Sequence, residues 1–196
     1  MYSLLMGIGL SSSTGYKPFI PLLIIGISSR LGFIELTEQS QWISSTLFIC
    51  ILVALSVLEV FSASIPIIGR IFEVLGIPIT LVCGYITITS LAGNLVESNI
   101  IIIKHLIGIL LGSGSAGLIK TLTIIKNTLS DTVTFGLSSF VNSMIDTIKA
   151  IFISIVAIVA PILVCIILVA SLFITYRGIK KLMAFRNFKG LKRAHS

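Results

Sequence analysis

Glu59 lies within an apolar run from Ile49 through Phe61, and Lys104 with His105 interrupts a second apolar stretch. A charge at the bilayer centre costs about 2.5 kcal/mol or more on insertion scales, so ionisable residues at membrane depth are kept for ion pairing, proton handling or ligand contact. Glu59 therefore reads as a counter-charge or proton site, beside the plainer reading of a carboxylate at a helix end near the headgroups. Lys104 and Lys149 have stems long enough to snorkel to that level. Two further lysines follow small-residue stretches. Gly7-Ile8-Gly9-Leu10-Ser11-Ser12-Ser13-Thr14-Gly15 precedes Lys17, and Gly108-Ile109-Leu110-Leu111-Gly112-Ser113-Gly114-Ser115-Ala116-Gly117 precedes Lys120. Gly-interrupted apolar segments in corresponding halves of a membrane chain point to a transporter-type site, where backbone groups meet a polar ligand. Gly and Ser also occur in membrane helices simply because they allow close packing. The candidate ligand-binding set is Ser12, Ser13, Gly15, Lys17, Glu59, Gly112, Ser113, Gly114 and Lys120, with the lysines attracting an anionic group.

Catalytic chemistry has less to stand on. There is no HExxH, no GxSxG and no Asp-rich diphosphate motif, and His105 and His195 have no partners at ligand spacing. Cys50, Cys83 and Cys165 are isolated in apolar segments without CxxC spacing and read as packing residues. No catalytic residue, metal site or cofactor is assigned, and an enzyme is the weakest class.

The elements that must position these residues are membrane helices. The chain is 56% hydrophobic and 11% charged, with a mean hydropathy of +1.13, against roughly 25% charged residues in a soluble domain. The expected fold is all-α: a polytopic transmembrane helical bundle with two Gly/Ser-broken elements, each a bend within a crossing or a re-entrant turn, and a weak internal repeat. Met1 to Leu10 lacks the basic start of a signal peptide, so the N-terminus is expected to belong to the mature fold. Gly15, Pro18 and Pro21 break the first element, and Glu35 to Gln41 is a loop outside the membrane. Trp42 to Phe61 is a span with Trp42 at headgroup level. Ser62 to Gly69 is a turn, and Ile71 to Leu91 returns with a kink at Gly76-Ile77-Pro78. Ile100 to Leu129 contains the second break, and Thr132 to Ser143 is a small-residue loop. Asp146 complements the dipole at the start of the last long helix.

Seven of the fourteen Lys and Arg residues fall in the C-terminal tail, among them Arg177, Lys180, Lys181 and Arg186. Ala150 to Tyr176, just before it, exceeds the roughly 20 residues of a bilayer crossing. Basic flanks are retained on the cytoplasmic side, so the protein is expected in the cell's inner (cytoplasmic) membrane, multi-pass, with its C-terminus cytoplasmic. The last span then runs inward, with 132–143 towards the outside. Residues 1–176 form one transmembrane domain, with tentative halves 1–93 and 100–176, and 177–196 form a basic cytoplasmic tail. The net charge of +7 fits anionic lipid headgroups, with Arg177, Lys180, Lys181 and Arg186 as contacts, better than nucleic acid. The partners expected are therefore the lipid bilayer, its anionic headgroups and, for so short a chain, a second copy in a homodimer.

Gly9 to Gly32, with Lys17-Pro18-Phe19-Ile20-Pro21-Leu22-Leu23, Gly26 and Arg30-Leu31-Gly32, resembles the opening of an uncharacterised bacterial integral-membrane family, domain of unknown function 4126. Glu59, Ile65-Pro66, Glu73 and Pro78 are similar to its second signature. Lys120 falls where its Gly-rich stretch leads to a Lys, and Asp146 with the apolar helix through Pro161 looks like its C-terminal element. The chain departs from the pattern at Ala63-Ser64 and Gly69, where the family carries charge. The resemblance implies an integral membrane fold and no particular activity.

Two function classes follow. One is a small transporter, channel or lipid-carrier translocase with its site between the two Gly/Ser-broken elements. The alternative is a non-transporting membrane scaffold or regulatory subunit that binds anionic lipid or a partner through the basic tail. A solvent-filled cavity joining the two stretches would mark the first, and a dry, tightly packed junction would sink it.

Overall fold

The computed structural model describes residues 2–62, 66–92, 105–134 and 138–164, with Ile166, Ala170, Phe173 and Arg177 beyond them. These residues form an all-α bundle. Helix α1 (Tyr2–Thr14) and α2 (Phe19–Arg30) are separated by the link Gly15-Tyr16-Lys17-Pro18. Pro21 falls in the first turn of α2, where its missing amide would have had no intrahelical acceptor. At the other end of α2, Gly32 adopts φ +77°. Phe33 donates its amide to the Ser28 carbonyl at 2.9 Å and Gly32 to Ser29 at 3.1 Å. This is the Schellman arrangement that stops a helix and for which Gly is suited.

A 3-10 turn (Glu38–Ser44) leads into α3 (Thr46–Ser62) with a bend of 59° at Ser45. The expected span from Trp42 is therefore two pieces, and Trp42 lies on the short one, edge-on to Phe48 at 4.6 Å. Helix α4 (Pro66–Ala92) starts on a proline, a favoured first helical residue, and runs through Pro78. A π-helical turn (Gly108–Ser113) passes directly into α5 (Gly114–Thr134). The second Gly/Ser stretch is thus a distortion inside a continuous helix, since a π-turn needs only one extra residue per turn and no backbone break. Helix α6 (Ser138–Val159) ends one residue before Ala160-Pro161. The loop expected at 132–143 shrinks accordingly: α5 extends through Thr134 and α6 begins at Ser138, because small residues do not oppose helix where no Gly or Pro punctuates them. The Val159 carbonyl, next to the Pro161 interruption, accepts the Tyr2 hydroxyl at 3.2 Å.

Val74–Leu91, His105–Thr128 and Phe140–Val159 are long and apolar enough to cross a membrane, and the bent pair Glu38–Ser44 and Thr46–Ser62 would make a fourth span. The chain is a multi-pass membrane protein. Its burial differs from that of a soluble bundle, with small hydroxyls joining the apolar core and large apolar side chains outside. Ser11, Ser13, Thr14, Thr80, Thr87 and Ser154 are fully buried, whereas Leu58, Phe61, Ile109, Leu110, Ile148 and Phe152 are exposed. Lipid tails are as apolar as leucine, so these helices associate through close packing and interhelical hydrogen bonds.

Helix α1 is the hub, packed on α2, α4, α5 and α6. Ser11 meets Ser115 and Gly15 meets Ile119, so α1 and α5 run parallel. Gly84 meets Gly112 and Ala116, and Leu81 meets Ser113, so α4 runs against α5. Ser13 meets Ser154 and Gly9 meets Ala157, which makes α6 antiparallel to α1. Lys17, at the end of α1, and Lys120, on α5, are thereby carried to the same level of the bundle.

Candidate functional site

The first Gly/Ser stretch is the last two turns of α1. Ser13 Oγ bonds to the Leu10 carbonyl at 2.9 Å and to Ser154 Oγ at 2.7 Å, and Ser11 Oγ pairs with Ser115 Oγ at 2.8 Å. Ser12 is buried, and its carbonyl accepts the Gly15 amide. A Cβ placed on Gly15 would lie 2.6 Å from Ile119 Cβ and 2.7 Å from the Ala116 carbonyl. In the second stretch, a Cβ on Gly112 would lie 2.6 Å from the Gly84 carbonyl, and Ser113 donates to the Leu81 carbonyl at 2.9 Å. Gly114 has open space beside it. These residues bring α1, α4 and α5 into backbone contact and answer one another's hydroxyls. Their junction is close-packed.

The charges next to that junction behave otherwise. The Gly15-to-Pro18 link holds Lys17 inside the bundle, where its ammonium donates to Ser143 Oγ on α6 at 2.9 Å and lies 3.7 Å from Glu59 Oε1, three residues before the end of α3. Lys17 is 6% exposed and the Glu59 side chain 12%. Lys120 is equally buried; its ammonium would lie 2.9 Å from a Cβ on Gly76, so the missing side chain there makes room for it. Burial penalises the Glu59 charge, and the Lys17 and Lys120 ammoniums oppose that penalty. Among the described residues Glu59 Oε2 is buried with no hydrogen-bond partner, as are Ser56 Oγ, one turn earlier on α3, and Thr80 Oγ1 on α4. Lys17, Glu59 and Lys120 are thus brought together from three parts of the chain.

A second ion cluster adjoins the first along α6. Asp146, 2% exposed, accepts from Lys126 of α5 at 3.0 Å and lies 3.6 Å from Lys149, one turn on; Asn127 donates to its other oxygen at 3.4 Å. Lys149 also stands over the Tyr16 ring at 5.6 Å, within reach of a cation–π contact. Asp146, read from the sequence as a helix-dipole partner, is instead the centre of an interhelical ion pair. Lys149 is half-exposed, as snorkelling would require, yet it is also paired. Ser143, Asp146 and Lys149 are spaced three residues apart, on one face of α6; that spacing was the available signal for the residues that sequence reasoning passed over.

Arg177 stacks on Phe173 at 4.5 Å. Lys180, Lys181 and Arg186 lie outside the described residues, as do Lys104, His195, Cys165 and the Ala63-Ser64 departure. His105 is exposed and hydrogen-bonds Tyr85. Among the described residues no three His, Cys, Asp or Glu side chains are grouped to hold a metal ion.

No curated protein and no solved structure matches the chain. The family model for a domain of unknown function (DUF4126) matches residues 4–181, a range that holds both Gly/Ser stretches and both ion clusters. The chain belongs to that family.

Proposed function

We propose that this protein is a small membrane carrier for an anionic solute or lipid headgroup, in which Lys17 and Lys120 contact the anion and Glu59 is the counter-charge. One observation carries the reading: lysines 103 positions apart in the chain are both buried and both act on one buried carboxylate that still has an oxygen without a partner. An isolated buried charge is costly, and ionisable groups inside membrane bundles mark substrate and ion paths. The ligand site belongs to the charges and not to the Gly/Ser junction, whose packing leaves no place for a ligand. The same reading puts the protein in the cytoplasmic membrane with the tail from Arg177 onward on anionic headgroups of the cytoplasmic face, and allows a homodimer.

The packed junction favours a second reading, a non-transporting scaffold or regulatory subunit that acts through its basic tail. Flux separates the two. In proteoliposomes loaded with sulfate, and in a parallel assay of phosphatidylglycerol flip between leaflets, the wild-type chain should move one of the two anions. Lys17→Ala combined with Lys120→Ala should abolish that movement with insertion intact. Movement by the double variant at the wild-type rate removes the assigned roles, and no movement of either anion by the wild type leaves the scaffold reading.

A further inference from the structure

The Lys17–Glu59 contact is not a tight pair. At 3.7 Å it is well beyond the roughly 2.7–2.9 Å of a charge-assisted hydrogen bond, and the Lys17 ammonium spends a short hydrogen bond on Ser143 instead. Glu59 Oε2 has no donor among the described residues. Burial opposes the charge on this carboxylate and the fields of nearby ammoniums support it, without short hydrogen bonds to replace lost water. Among the described side chains, the charged or titratable groups that face it are few. They are Lys17 from the α1–α2 link, Lys120 from α5 and the Cys83 thiol from α4, while α6 contributes Ser143 to Lys17. Asp146 and its lysines lie further along α6 and are engaged with one another.

We infer that anion binding at Lys17 and Lys120 is coupled to protonation of Glu59, so that the carrier takes up its anion together with a proton. This rests on the carrier reading and adds the coupling to it. An anion that reaches the Lys17 ammonium cancels the field on which Glu59 depends. The carboxylate is then a charge in an apolar interior with no compensating partner, and it neutralises by taking a proton from bulk water on the side from which the anion enters. No bond other than O–H forms. By reciprocity, protonating Glu59 frees Lys17 from its internal competitor and strengthens anion binding by the same factor. Release of the anion restores the ion pair and expels the proton.

The test uses the full chain in phosphatidylcholine nanodiscs in weakly buffered solution, with sulfate as the free anion. Phosphatidylglycerol incorporated in the nanodiscs serves as the headgroup, and both anions stay ionised throughout. Binding of either should draw protons from solution, approaching about one per anion. The apparent Kd should rise by up to about tenfold per pH unit on the alkaline side, the limit for one linked proton. Glu59→Gln keeps the shape and removes the titrating group; it should abolish the proton uptake and bind with a pH-independent Kd. Which anion draws the proton identifies a soluble or a lipid ligand. Binding without proton uptake by the wild type, a measurement that needs no variant to fold, overturns the coupling and leaves the carrier. Uptake that Glu59→Gln leaves unchanged does the same. Failure of both anions to bind overturns the carrier reading and the coupling with it.

Discussion

The α1–α5 crossing and the Lys17–Glu59–Lys120 cluster are neighbours, the cluster adding Glu59 of α3 to the same two stretches of chain, yet they differ in how their polar groups are satisfied. At the crossing, hydroxyls bond to one another and to carbonyls of the preceding turn, and glycines bring backbones into contact. In the cluster, Lys17 and Glu59 are buried 3.7 Å apart without a tight pair, and Glu59 Oε2 has no hydrogen-bond partner among the described residues. Small neutral groups can complete their hydrogen bonds locally, so burying them at a helix crossing is inexpensive. A buried charge needs an opposite charge and several hydrogen bonds. For Glu59 that requirement is half met among the described residues.

Substitutions on the two sides of this contrast should differ in kind. Gly112→Val meets the Gly84 backbone, which cannot rotate away as a side chain can. It should cost about 3 kcal/mol or more, read as loss of the folded peak on size-exclusion in detergent; a wild-type melting temperature would show that α4 and α5 can slide apart. Asp146→Ala should cost about 1–3 kcal/mol, less than a fully buried pair, because Lys126 and Lys149 keep 27% and 43% side-chain exposure and can turn to water. Thermal unfolding measures it, and a neutral result would make the α5–α6 ion pair dispensable. Gly76→Ala meets only the flexible end of Lys120, so its stability cost should stay near about 1 kcal/mol. It should nevertheless weaken sulfate or phosphatidylglycerol binding several-fold, and unchanged binding would remove Lys120 from the site. Ser11→Ala loses one interhelical hydrogen bond, about 0.6 kcal/mol in membrane proteins, with no change in anion binding. A large loss of binding there would move the site into the crossing.

The pattern of charge in apolar sequence made Lys17, Glu59 and Lys120 legible as candidates, because a membrane interior leaves an ionisable side chain few other roles. It could not show that Lys120 comes near enough to the Lys17–Glu59 contact to act on the same carboxylate, since that depends on α1 and α5 running parallel with Ser11 beside Ser115. Asp146 was misread for a related reason. The helix was expected to start near Met144, but it starts at Ser138 and puts Asp146 beyond the reach of the dipole, and its sequence position did not reveal Lys126 on another helix. The second Gly/Ser stretch looked like a break because Gly-rich sequence permits one, but the helix continues through it as a π-turn.

Amino-acid type and order alone determined that this chain crosses a membrane as helices and where its costly charges fall, since transfer of side chains and backbone into lipid is set by local composition. Helix direction, the close-packed crossing and the approach of Lys17 to Glu59 beside Lys120 were decided only by the tertiary structure. Packing among apolar and small residues is nearly degenerate in sequence, and only the assembled bundle selects which faces touch.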